Sequence, residues 1–234
     1  MRKKNEQMNS NWVNIILNNR NVCLIKDACG EMLEDKAYIC GGAIRNVLMG
    51  KRDVKDLDLF IKLPKNRIEA VVEQLEKIGR VEYGQYGAPR LYVHDEEPYI
   101  DVVPFSNFSG YGYPIDTIEG LLMNFDFTAN AIGVNITTGE VNNPVNGIED
   151  IEKKILRAVR TDFPEMLVSD KIALSAVSVF WFRLLHYQVK LGFTFDEVTE
   201  KWIVENKYRM REKEMFVKYF FEPLIDEQMK VKLR

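Results

Sequence analysis

Ile68, Val71, Val72, Leu75 and Ile78 recur three and four residues apart behind Pro64, a spacing that predicts an amphipathic helix. Trp12, Val13, Ile15, Ile16 and Leu17 predict another near the N-terminus, and an Asn-rich turn leads from it into a second helix ending before residue 37. Short apolar runs bounded by turn residues predict strands over Ala37–Cys40, Leu57–Leu63 and Ala131–Ile136. Pro89–His94 and Pro98–Phe105, joined by Asp95-Glu96-Glu97, predict a hairpin, and Gly42–Met49, Thr117–Met123 and Gly147–Lys154 predict short helices. Ser106–Tyr113 mixes Gly, Ser and aromatic residues without a period and predicts a mobile loop. From Phe163 onward a helical pattern prevails, with Val177, Phe180, Trp181, Leu184 and Leu185 as its apolar stripe and Leu191-Gly192 as its stop. Strands and helices alternate up to about residue 160 and helices follow. The expectation is an α+β unit over 1–160 and a helical unit over 161–234.

Composition narrows the class. The 234 residues, 46% hydrophobic and 29% charged, can bury one substantial core or two small ones. The basic start Met1-Arg2-Lys3-Lys4 precedes a stretch broken by Asn and Trp, so neither a signal peptide nor a membrane span is expected, and the expected address is cytoplasmic. Cys23, Cys29 and Cys40 lack zinc-ligand spacing and read as free thiols. A net charge of -3 excludes a generally basic nucleic-acid binder, so any RNA contact is local. Lys207, Arg209, Arg211, Lys213 and Lys218 with Tyr208, Phe216, Tyr219 and Phe220 would offer one such face, although Glu212 and Glu214 favour an ordinary solvated helix.

The chemistry concentrates between residues 39 and 60. An apolar strand ends in Gly41-Gly42, a helix carrying Arg45 follows, and Asp56 and Asp58 alternate at the head of the next strand. Glycines let the backbone approach a ligand and a helix start offers unpaired N–H groups, so Gly41, Gly42 and Arg45 suit a triphosphate. Carboxylates side by side suit Mg2+. Asp101, the single acid in Tyr99-Ile100-Asp101-Val102-Val103, is the candidate third ligand. Alone, such a pair of aspartates would more often open a solvated edge strand; the preceding glycine signature reverses that preference.

This segment resembles the signature of the class II tRNA nucleotidyltransferase and bacterial poly(A) polymerase family. Asp126-Phe127-Thr128-Ala129-Asn130-Ala131, Asn143-Pro144 through Ile151, and Ile155-Leu156-Arg157-Ala158-Val159 resemble further blocks of that family in the same order. The resemblance covers about residues 37 to 160 and, weakly, some thirty more. It implies a polymerase beta-like nucleotidyltransferase head, with a mixed or antiparallel sheet and flanking helices, followed by a helical neck. It also implies a two-Mg2+ site on Asp56, Asp58 and Asp101, an ATP or CTP substrate, and an RNA acceptor such as a tRNA 3′ end. Gly41, Gly42, Arg45 and Asn46 would hold the triphosphate, Asp126 would contact the ribose and Asn130 the nucleotide.

Three departures qualify that expectation. Asn46 stands where the family has Asp, and Asn124-Phe125 replaces an arginine pair. The neck motif that reads the base, Glu-Asp-x-x-Arg in the family, aligns through Phe180 and Leu191-Gly192-Phe193-Thr194 with Ser169-Asp170-Lys171-Ile172-Ala173, where Asp170 alone survives as a base contact. Members acting on tRNA usually continue into a body and tail, and these 234 residues offer no such length. Transfer to a protein or small molecule, a binding module without turnover, and self-association through the apolar C-terminal helices therefore stay open.

Overall fold

The computed structural model describes residues 11–52, 54, 56–84, 87–94, 98–108, 111–170 and 172–233. Helix α1 (11–17) leads into α2 (Arg20–Cys29). Asn19 caps α2, its side-chain oxygen accepting from the backbone N–H groups of Asn21 and Val22 at 3.0 and 3.4 Å. The basic N-terminal four residues lie outside the described range.

Seven strands follow in one sheet: β1 (Ala37–Cys40), β2 (Asp58–Ile61), β3 (Arg80–Tyr83), β4 (Pro89–Tyr92), β5 (Ile100–Pro104), β6 (Gly133–Asn135) and β7 (Val141–Asn142). Their order is β3-β4-β5-β2-β1-β6-β7. The pairs are antiparallel except for β2 with β5, which run parallel, so the sheet is mixed. Helix α4 (Lys65–Leu75) and the β3–β4 hairpin form the crossover that a parallel pair requires. The expected β4–β5 hairpin is present, although its turn, Asp95–Glu97, lies outside the described residues. Strand β3, mostly exposed at the sheet edge, carries too little apolar alternation to be read from sequence.

The period of two assigns the two faces. Ala37 and Ile39, Leu59 and Ile61, and Ile100 and Val102 enter the main core, where they join Val22 and Ile25 of α2 and Val71 and Leu75 of α4. Cys40 and Phe60 join a smaller cluster with Phe105 and with Ile118, Leu121 and Leu122, the last three from α5 (Ile118–Leu122). Slipping a strand by one residue would exchange these sets, so burial pins the register.

The C-terminal third departs from expectation at its start. In place of helix from Phe163, the chain forms an antiparallel hairpin, β9 (Leu167–Ser169) with β10 (Ile172–Ser175). Ile172 and Leu174 are buried while Ala173 between them is exposed, a period of two that four residues cannot reconcile with a helix. Ser175 then caps α7 (Ala176–Leu191), its hydroxyl accepting from the Ser178 N–H at 3.1 Å. Beyond α7, β11 (Thr194–Phe195) pairs with β8 (Ile155–Leu156), and α8 (Glu197–Glu205), α9 (Lys213–Tyr219) and α10 (Glu227–Lys232) complete the described chain. Trp181, Leu184 and Phe216 belong to the same core as the sheet. Arg209 is buried and ion-paired with Glu165, so it leaves the basic face suggested by the sequence.

Helix α6 (Gly147–Lys153) packs on the turn Thr128–Asn130 through a glycine contact. A Cβ on Gly147 would lie 2.0 Å from the Thr128 carbonyl oxygen. Asn143 holds the same helix start, accepting from the Gly147 N–H at 2.6 Å. Gly147→Ala is expected to destabilise the fold by about 3 kcal/mol in urea unfolding, because two backbone segments must separate. A loss below about 0.5 kcal/mol would contradict this packing.

Candidate active site

One cross-strand row builds the floor. Cys40 pairs with Asp58, Asp58 with Asp101, and Asp101 with Arg90, across β1, β2, β5 and β4. Residues paired across a sheet share a face, so Asp58 and Asp101 stand side by side on the face of Phe60, opposite the main core. Asp56 precedes β2 with a left-handed backbone, φ 55°, so it is placed by a turn rather than by strand alternation as the sequence suggested. It still lines the same pocket as Asp58.

Gly41 closes one side. Its φ of 81° favours glycine, and a Cβ there would lie 3.2 Å from Asp58 Oδ2. Helix α3 (Gly42–Leu48) then presents Arg45, which is buried and hydrogen-bonded through Nη1 to Asn130 Oδ1 and through Nη2 to Asn46 Oδ1 at 3.1 Å. Asp126 joins these groups to α7. Its Oδ1 accepts from the Phe127 N–H at 2.9 Å and Asn130 Nδ2 at 3.2 Å, and its Oδ2 accepts from Arg183 Nε at 2.6 Å. The guanidinium groups of Arg45 and Arg183 lie 5.2 and 5.3 Å from the Tyr187 ring centroid.

These elements enclose a pocket of about 470 Å³. Of the residues singled out in the sequence, Gly41, Gly42, Arg45, Asn46, Asp56, Asp58, Asp126 and Asn130 line it; Asp101 stands beside Asp58 but is drawn toward Arg90, its Oδ1 accepting from Nε at 3.1 Å. Asp170 does not line it. It occupies the β9–β10 turn, and the residues of α7 that do face the pocket are Ala176, Val179, Phe180, Arg183 and Tyr187. The alignment that put Asp170 on the neck helix therefore fails by the length of a hairpin. Arg183 went unnoticed, although Phe180, Arg183 and Tyr187 at i, i+3 and i+7 share one helix face. Phe108 and Tyr111 are equally part of the wall. The loop expected to be mobile packs Phe108 against Phe60 and Phe125 at 5.5 and 5.7 Å and Tyr111 against Phe180 at 5.3 Å.

Burial, reinforced by the charges of Asp101 and Asp56, pushes the Asp58 carboxyl up to about 7, against the pull of Arg183 and Arg45. Burial and the same Asp58 charge push the Cys40 thiol up. Among the described residues no three His, Cys, Asp or Glu side chains converge to enclose a metal ion. The donors nevertheless fit Mg2+ in kind: carboxylate oxygens on one sheet face, whose crowded negative charge a cation would relieve. Two further atoms of the wall, Arg45 Nε and Asn124 Oδ1, are buried without a hydrogen-bond partner among the described residues. Asn124 Nδ2 faces two carbonyl oxygens, Gly120 O at 2.8 Å and Tyr113 O at 3.1 Å, which fixes the amide so that its oxygen is the unpaired atom.

A mixed sheet whose parallel pair carries in-register aspartates beside a glycine turn, with helices closing the pocket, is an α+β fold of the kind the sequence resemblance implied, followed by a mostly helical segment. Residues 37–157 match the poly A polymerase head domain, and the chain belongs to that family. A CCA-adding enzyme of Bacillus pumilus is 30% identical over 132 residues, 53% of this chain and 31% of that protein. A multifunctional CCA protein of Xanthomonas oryzae pv. oryzae is 30% identical over 167 residues, 68% of this chain and 37% of that protein. The chain thus spans about a third of the length of these curated relatives. The fold is shared with a CCA-adding enzyme solved with ATP (TM-score 0.65, 17% identity, 88% of this chain and 48% of that one). It is shared also with a tRNA-processing enzyme in an apo form (TM-score 0.63, 21% identity, 86% and 51%).

Proposed function

We propose that this chain transfers a nucleoside monophosphate from an NTP to an acceptor hydroxyl, an RNA 3′ end such as that of tRNA, with release of pyrophosphate. The observation that carries this reading is the in-register pair Asp58 and Asp101 beside Gly41, in the same pocket region as Arg45. Residues 1–160 serve as the head and 161–234 as the neck-like unit. Asp56, Asp58 and Asp101 would hold Mg2+, which when bound supplies charge stabilisation at the attacking and leaving oxygens. Gly41 and Gly42 let the phosphates approach the backbone, and Arg45, held in place by Asn130 and Asn46, faces them. Asp126 keeps a lone pair on Oδ2 for a ribose hydroxyl while it orients Arg183 and Asn130. The acceptor hydroxyl attacks the α-phosphorus, the bond to pyrophosphate breaks, and the proton passes to solvent. No protein nucleophile is required.

Relatives named as CCA-adding enzymes and neighbours solved with CTP, with ATP and with a primer tRNA support NTP and RNA as the substrate classes. Purified protein incubated with Mg2+, each α-labelled NTP and a small-RNA pool is expected to label RNA, and EDTA to abolish the label. Label on protein would move the acceptor. NTP binding without any label would favour a module without turnover, the reading to which the Asp101–Arg90 pair lends weight.

A further inference from the structure

Asp58 and Asp101 are partners in the sheet register, yet only Asp58, with Asp56, lines the pocket. Asp101 is turned to the next strand outward, where its Oδ1 accepts from Arg90 Nε at 3.1 Å. Arg90 is seated there by more than this bond. Its guanidinium lies 4.4 Å from the ring centroid of Tyr99, two residues before Asp101. It also packs on the backbone of Gly84, where an added Cβ would lie 3.1 Å from Nε and 3.2 Å from Cζ. The two side chains of the pair are each 32% exposed, so the pair is neither dissolved in water nor closed to an incoming cation. While Asp101 faces Arg90, no three acids among the described residues converge on one point.

Resting on the nucleotidyltransferase reading, we propose that Arg90 holds Asp101 out of the metal site and that its release is what admits Mg2+ there. Arg90 is thus a positioning residue that lowers the affinity of the site for a divalent cation. Mg2+ demands near-octahedral oxygen ligands, which Asp101 can join only by giving up its bond to Nε and turning toward Asp58. The seat on Tyr99 and Gly84 keeps the displaced guanidinium close, so the exchange is reversible. A hydrogen bond to a metal-binding carboxylate can instead orient it, and removing such a bond weakens metal binding by about 10- to 100-fold. The sign of the effect separates the two roles. Competition is the role that fits here, because Asp101, while bonded to Arg90, stands off the pocket that Asp56 and Asp58 line.

The test is binding of Mn2+, a spectroscopic substitute for Mg2+, followed by electron paramagnetic resonance without NTP or RNA. The unmutated protein is compared with Arg90→Gln and Arg80→Gln. Arg90→Gln is expected to bind the ion about tenfold more tightly, the worth of a partly exposed charge-assisted hydrogen bond. Arg80→Gln removes the same charge from β3, where it pairs with Glu82, and should change the affinity by less than about twofold. In 15N spectra of the unmutated protein, the Arg90 Nε–H signal, assigned through its own side-chain carbons, should move as Mg2+ is added. Weaker or unchanged Mn2+ binding in Arg90→Gln, an equal gain in Arg80→Gln, or an Nε–H signal unmoved at saturating Mg2+ would each overturn the proposal. Absence of Mn2+ binding in every protein would overturn it together with the metal-dependent transferase reading. Binding that Arg90→Gln leaves unchanged would reject only the role of Arg90, so the two failures are distinguishable.

Discussion

Asp58→Asn is expected to abolish nucleotidyl transfer while making the metal-free protein more stable. The carboxyl is pushed up to about 7 in the folded chain against an ordinary 3.8, first by burial and then by the neighbouring Asp101 and Asp56. The native state thus binds this proton more tightly than the unfolded state, so stability falls as pH rises from about 4 to about 7. The penalty is fully present above that window and absent below it. It amounts to on the order of 3 kcal/mol, allowing for some relief by water and by neighbouring guanidinium groups. Neutral Asn removes it. In metal-free buffer above pH 7 the variant should melt about 6 °C higher than the unmutated protein, and the difference should vanish near pH 4. Transfer in Mg2+ should fall by at least about 10³-fold, because the proposed metal site would lose a carboxylate. Equal melting points at all pH values would show that Asp58 carries no such strain, and retained activity would remove it from the site.

The second large effect falls on Asp126. This nearly buried carboxylate accepts hydrogen bonds from a backbone N–H, from Asn130 and from Arg183, the last of which belongs to α7. Asp126→Ala leaves a guanidinium and an amide without their acceptor between the sheet and α7. Breaking such a pair costs about 3 kcal/mol, most of it the penalty of the charge left behind. Arg45 loses its orientation indirectly, because Asn130 is the common partner. The expected outcome is a lower urea midpoint together with at least about a 100-fold loss of NTP affinity. Arg183→Ala separates the contributions: it should recover part of the stability lost in Asp126→Ala when the two are combined, because the uncompensated charge is removed. Strictly additive losses would argue against the pair as the link.

What the sequence revealed and what it concealed follow from range. Gly41-Gly42, Asp56 and Asp58 were legible because their spacing is local and their chemistry unusual. Asp101 was legible as the lone acid in an apolar alternation, yet the parallel pairing that brings it to Asp58 depends on a long crossover, from Ile61 to Ile100, that no local pattern encodes. The β9–β10 hairpin was hidden because Leu167–Val168 and Ile172–Leu174 are runs too short to distinguish a period of two from one of 3.6. Mistaking it for helix displaced Asp170 and obscured Ala176, Val179 and Phe180. Arg183 lay within an apolar stripe, where an isolated charge marks a buried partner; the partner, Asp126, is 57 residues away in sequence. The packed loop around Phe108 and Tyr111 lacked period because its order comes from rings on other elements.

The Arg90–Asp101 pair sets an order of events. A cluster of acids meant for a metal ordinarily opposes folding until the metal arrives, and small metal-built domains stay unfolded without it. Here one of the acids comes with a guanidinium from the adjacent strand, set in register by the sheet itself. Arg90 is in effect a resident counter-ion. On the proposed reading the sheet could form before any Mg2+ is bound, and the ion would then have to compete with Arg90 for Asp101.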